Sequence, residues 1–92
     1  MIKSFKHKGL KKFYETGSTA GIQASHAVKL RFILGLLEKA KRPEQLTMPS
    51  LNFHELKGSR KGDWSITVNG NWRLTFRFIP DGVELLNYED YH

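Results

Sequence analysis

The chain has 92 residues, no cysteine, 39% hydrophobic and 26% charged residues, and a formal net charge of +6 at pH 7. That length accommodates one modest core, so residues 1–92 are expected to form a single domain, and the lack of cysteine excludes disulfides and thiolate metal sites. No apolar run approaches the roughly 20 residues that cross a bilayer, and the opening Met-Ile-Lys-Ser-Phe-Lys lacks the apolar stretch of a secretory leader. A cytoplasmic protein with no membrane partner is expected.

The charge is unevenly placed. Residues 1–42 carry ten Lys and Arg against two Glu, whereas residues 43–92 carry five against seven Asp and Glu. A basic front half is the footprint of a polyanion partner as often as it is a solubilising surface.

In chain order, Ile2 to Phe5 reads as a short strand. His7 to Thr16 places Leu10, Phe13 and Tyr14 at helical spacing and stops at Gly17, a natural helix end. Residues 17–24 read as a loop. Ser25 is the expected N-cap of a second helix running to about Arg42, with Ala27, Leu30, Leu34 and Leu37 on its apolar side and Pro43 ending it. Residues 43–52 form a connection with two prolines.

A sheet follows from Trp64. Trp64, Ile66 and Val68 alternate with Ser65 and Thr67; Trp72, Leu74, Phe76 and Phe78 alternate with Arg73, Thr75 and Arg77. A two-residue loop at Asn69-Gly70 would set Ile66 against Arg73. A three-residue loop over 69–71, or a bulge, pairs Ile66 with Leu74 and Trp64 with Phe76 and keeps one face apolar, so this register is expected. Beyond Pro80-Asp81-Gly82, pairing Ile79 with Val83 sets Leu74 opposite Tyr88 and Arg73 level with Glu89. The predicted architecture is α+β: two helices on one face of a small twisted antiparallel sheet, with the short N-terminal strand beside it.

The polar face of that sheet holds the residues that can do chemistry. His54 and His92 are the acid–base candidates, because imidazole titrates nearest neutrality; each is also, on base rates, an ordinary surface histidine. His7 and His26 receive no role. Arg73 and Arg77 suit a phosphate clamp by guanidinium geometry, or else cross-strand ion pairs, with Arg73 to Glu89 the foremost. Lys57 and Arg60 extend such a clamp or are solvated. Asn71 is grouped with Lys57, Arg73 and Arg77 as RNA-binding, and Tyr91 can stack on a base. No metal-ligand spacing, Walker loop or dinucleotide fingerprint occurs, so no cofactor or metal is expected. Cleavage of an RNA phosphodiester would then use the 2′-hydroxyl of the RNA itself as nucleophile, with a base, an acid and positive charge around the phosphorane.

The segments His54-Glu55-Leu56-Lys57-Gly58, Trp64-Ser65-Ile66-Thr67-Val68, Asn71-Trp72-Arg73 and Asn87-Tyr88-Glu89-Asp90-Tyr91-His92, in that order and spacing, resemble the HigB branch of the RelE/ParE superfamily of type II toxin–antitoxin toxins. The resemblance covers nearly the whole chain; residues 17–50 share only helical character. It implies a ribosome-dependent endoribonuclease that cuts mRNA in the 30S A site in the bacterial cytoplasm. It also implies active-site positions at His54, Asp90, Tyr91 and His92, supported by Lys57 and Arg73. The implied partners are mRNA, ribosomal RNA and a HigA-like helix-turn-helix antitoxin, with operator DNA reached only through the antitoxin complex. The competing readings are a ParE-like inhibitor of DNA gyrase and a non-catalytic RNA-binding module.

Overall fold

The computed structural model describes residues 1–91. Two α-helices, α1 (Lys8–Thr16) and α2 (Ala27–Lys39), precede four strands: β1 (His54–Glu55), β2 (Trp64–Asn69), β3 (Trp72–Ile79) and β4 (Gly82–Asp90). The strands form one antiparallel sheet in the order β1-β2-β3-β4. Leu10 and Phe13 of α1, Leu30, Ile33, Leu34 and Leu37 of α2, and Ile66, Leu74, Phe76, Val83 and Leu86 of the sheet join in a single buried cluster. The apolar face set by alternation is therefore the face the helices cover.

The helix ends have identifiable causes. His7 caps α1 through Nδ1, which accepts from the backbone N–H of Leu10 at 2.9 Å, and Gly17 ends the helix in the left-handed conformation with φ 80°. The second helix is shorter than its expected span from a Ser25 cap to Arg42. Ser25 lies inside a 3-10 turn, Ala24–His26, and the helix stops at Lys39, where Ala40 turns extended. Ala40 is buried in the core cluster, and Gln45 Oε1 accepts from the N–H groups of Lys41 and Arg42 at 2.7 and 3.1 Å. Those tertiary demands override the helix propensity of the Lys-Ala-Lys-Arg run. The proline-bearing connection is two 3-10 turns, Pro43–Leu46 and Pro49–Leu51, which bury Leu46 and Leu51.

Both hairpins combine a two-residue turn with a bulge. Asn69 pairs with Trp72 across Gly70-Asn71, and Val68 is the extra residue that returns Ile66 to Leu74 and Trp64 to Phe76. In the second hairpin Ile79 pairs with Gly82, not Val83, across Pro80-Asp81. A bulge at Leu85, whose φ is 58°, then restores Leu74 to Tyr88 and Arg73 to Glu89. A bulge compensates each turn because a one-residue slip would put the apolar set into water. The N-terminal segment supports the second bulge. Ile2 and Phe5 make single parallel bridges to Val83 and Leu86, and Ser4 accepts from the N–H groups of Leu85 and Leu86 at 3.0 and 3.1 Å.

Gly9 is required by a close approach. A Cβ there would overlap the carbonyl oxygen of Gly21, which is backbone and cannot swing aside. Gly9→Ala is therefore expected to destabilise the fold by about 1–3 kcal/mol, although alanine is the better helix former. A thermal melt reads the sign: a rise in midpoint would contradict the close packing of these two backbones.

Candidate active site

Strand β1 is two residues long and extends the sheet beyond its expected start at Trp64. It positions His54. Phe53 stacks on Trp64, ring centroids 4.8 Å apart, and packs against the core; the next residue therefore points the other way. His54 pairs with Ser65, which places its imidazole on the polar face. Its Nδ1 lies 2.9 Å from the carbonyl oxygen of Asn52.

That face has a cleft of about 280 Å³ whose walls include Asn52, His54, Ser65, Thr67, Asn71, Arg73 and Tyr91. Four of the residues expected to act on RNA, His54, Asn71, Arg73 and Tyr91, thus share one depression. Tyr91 is 57% exposed and its ring covers the Arg73 guanidinium, whose central carbon is 4.1 Å from the ring centroid. The Arg73 side chain is only 14% exposed. One of its terminal nitrogens reaches Glu89 Oε1 at a long 3.4 Å. Its buried Nε and the buried Oγ of Ser65 have no hydrogen-bond partner among the described residues. Unpaired buried polar atoms are costly, and these two belong to residues of the same cleft wall.

The remaining candidates stand elsewhere. Arg77 is turned away: its Nε is 2.8 Å from Asp63 Oδ1 and its terminal nitrogen donates to the Lys61 carbonyl at 3.3 Å. Lys57 borders a neighbouring hollow with Glu55, Gly58 and Lys61. Asp90 pairs with Trp72, on the opposite alternation from Arg73, and is exposed but not part of the cleft wall. His92 lies outside the described residues. His26, given no role from sequence, is buried with Nδ1 2.6 Å from the Tyr88 hydroxyl, and burial raises the Tyr88 pKa. Among the described residues no group of three or more His, Asp or Glu could hold a metal ion, and no helix is long and apolar enough to cross a membrane.

The floor beside the cleft is an ion-pair network centred on Glu89, which sequence reasoning reached only through Arg73. Arg60 folds inward from the loop after β1 and grips both carboxylate oxygens, at 3.0 and 2.9 Å, while the Thr75 hydroxyl donates at 2.5 Å. Arg60 is therefore neither a solvated residue nor a free clamp, and its own pKa is raised by the carboxylate. Its hydrogen bonds, then Thr75 and the charges of Arg60 and Arg73, hold Glu89 at about 2, against its ordinary 4.5. A depressed folded-state value gives stability that is fully present above about pH 4.5 and drains away as pH falls toward about 2. The expected loss over that window is about 1–2 kcal/mol after allowance for solvent screening. Glu89→Gln should flatten the dependence of the urea midpoint on pH there; an unchanged slope would mean that Glu89 is not strongly paired.

One face of the sheet of this α+β domain thus gathers an imidazole, a guanidinium and a phenol in one cleft. The crystal structure of a YafQ mutant from E. coli superimposes with a TM-score of 0.64 and 19% identity, covering 98% of this chain and 91% of that one. The family described as RelE-like toxin of type II toxin-antitoxin system HigB matches residues 3–92. The chain is 48% identical over 92 residues to the Endoribonuclease HigB of Proteus vulgaris, covering 100% of this chain and 100% of that protein. It is 37% identical over 94 aligned residues to the Toxin HigB-1 of Vibrio cholerae serotype O1, covering 100% of this chain and 98% of that protein. The protein belongs to the HigB-like family of type II toxins, which implies an antitoxin partner.

Proposed function

We propose that the protein is an endoribonuclease toxin that enters the ribosomal A site and cuts mRNA there by attack of the RNA's own 2′-hydroxyl. The observation that carries this reading is the Arg73 guanidinium, little exposed, in the same cleft wall as His54 and beneath Tyr91. The whole-length likeness to the Proteus vulgaris endoribonuclease supports it.

In this mechanism Arg73 binds the scissile phosphate and Tyr91 stacks on a neighbouring base. His54 and His92 handle the two protons. One accepts the 2′-hydroxyl proton as O2′ bonds to phosphorus; the other protonates O5′ as the P–O5′ bond breaks. The products are a 2′,3′-cyclic phosphate and a 5′-hydroxyl. Asp90, off the cleft wall, and Lys57, in the adjoining hollow, support the C-terminal segment and the path of the RNA backbone. The whole chain acts as one cytoplasmic domain, its basic helical half facing ribosomal RNA. A HigA-like helix-turn-helix antitoxin holds it inactive, and the complex of the two binds operator DNA.

The test is to induce the protein in bacteria and map mRNA 5′ ends, alongside His92→Ala. Cuts in phase with codons that disappear in the variant are expected. Intact mRNA with broken chromosomal DNA would replace this reading with gyrase poisoning.

A further inference from the structure

Asn52 is one of two non-glycine residues with positive φ among the described residues, at 47° with ψ 45°. Such left-handed backbone is disfavoured by a side chain, and asparagine tolerates it better than most. The other instance, Leu85, has its bulge explained by the second hairpin and the N-terminal segment. Asn52 caps the 3-10 turn Pro49–Leu51, its N–H donating to the Pro49 carbonyl at 3.3 Å, and so joins that turn to β1 while lining the cleft. Its conformation sends its carbonyl oxygen to Nδ1 of His54, 2.9 Å away, while its side-chain amide donates to Thr67 Oγ1 at 3.3 Å and ties the bend to β2.

A carbonyl oxygen only accepts, so the Nδ1 it contacts must carry the proton. In a neutral imidazole that leaves the lone pair on Nε2. We propose that Asn52 is a positioning residue: its left-handed backbone holds His54 in the form with the lone pair on Nε2 and makes Nε2 the base that takes the 2′-hydroxyl proton. This rests on the ribonuclease reading and divides the two histidines that the reading leaves undivided. As Nε2 takes the proton, O2′ forms its bond to phosphorus, the P–O5′ bond breaks, and O5′ takes its proton from His92. The charge then on the His54 ring is stabilised through Nδ1–H by the Asn52 carbonyl. The Asn52 amide bond to Thr67 gives the position a reason to hold asparagine rather than glycine, since it fixes the bend that glycine would leave freer before folding.

The test pairs a backbone-permissive with a backbone-forbidding variant in the full chain. Asn52→Gly adopts positive φ without steric cost; Asn52→Val resists it. Ring nitrogen shifts of His54 in ¹⁵N-labelled protein report which nitrogen carries the proton, and in vitro translation extracts give kcat and KM for cleavage of programmed ribosomes. The wild type and Asn52→Gly should both show a protonated Nδ1, with less than about fivefold loss of kcat in Asn52→Gly, whereas Asn52→Val should show mixed tautomers and lose about tenfold or more in kcat at similar KM. Retained tautomer and kcat in Asn52→Val, or loss of both in Asn52→Gly, would overturn the proposal. If circular dichroism shows Asn52→Val unfolded, Asn52→Ala is read by the same criteria. A wild type that cuts no mRNA defeats the ribonuclease reading instead, and the nitrogen shifts still decide whether Asn52 sets the ring.

Discussion

Arg73→Ala is expected to slow mRNA cleavage by about 100- to 1000-fold while leaving the protein folded. In the phosphorane, negative charge builds on the non-bridging oxygens, and a fixed guanidinium answers that charge without reorganising at the moment of reaction. Arg73 is suited to this because it is only 14% exposed, so its field is less screened than that of a surface arginine. The fold should survive because Glu89 does not depend on Arg73. Arg60 holds that carboxylate at 2.9 and 3.0 Å and Thr75 at 2.5 Å, whereas Arg73 stands at 3.4 Å. The melting midpoint should therefore move by only a few degrees, the shift of about 1 kcal/mol or less in a domain of this size. Arg73→Lys keeps the charge but loses the planar fork and should fall between the two. Primer extension on a reporter mRNA measures the rates. An Arg73→Ala protein that unfolds would reassign the arginine to the ion-pair network.

The register of this sheet was legible because one face had to be apolar. Ile66 with Leu74, Trp64 with Phe76 and Arg73 with Glu89 follow from alternation alone, whatever the turns do. The turns themselves were not legible at the same level. Two-residue loops and single bulges at Val68 and Leu85 give the same strand pairing as longer loops, so hydrophobic pattern cannot separate them. Strand β1 escaped notice for a different reason: two residues carry no periodicity, and its partner is settled by Phe53 stacking on Trp64 across a gap of ten residues. Of the residues that share the cleft, His54 is a candidate by residue type and Arg73 and Tyr91 by register, Asn71 comes from the resembling Asn71-Trp72-Arg73 segment, and Ser65 and Thr67 lie on the polar alternation of β2. Arg60 and Asn52 could not. The inward turn of Arg60 depends on how the loop after β1 folds back on the sheet, and the role of Asn52 lives in its backbone angles. Arg77 shows the converse: sequence put it on the same strand face as Arg73, but Asp63, brought over by that loop, holds it outside the cleft.

His54→Ala is expected to lower the rate of cleavage by about 100- to 10000-fold, the range over which a positioned proton-transfer group contributes. The ring is exposed on an edge strand, and the polar contact it shows is Nδ1 to the Asn52 carbonyl, so its removal creates no core cavity and breaks no buried pair. Arg73 and Tyr91 remain in place to hold the RNA. The variant should therefore still occupy ribosomes and leave their mRNA whole, a separation of binding from chemistry that a passive RNA-binding module does not show. The same mechanism requires that an mRNA with a single 2′-deoxy nucleotide on the 5′ side of the cut stays intact with wild-type protein, because the attacking oxygen is then missing. Co-sedimentation with programmed ribosomes reads occupancy, and gel analysis of the message reads cutting. Full-rate cutting by His54→Ala would remove the imidazole from the mechanism, and cutting of the deoxy message would require a nucleophile other than the RNA itself.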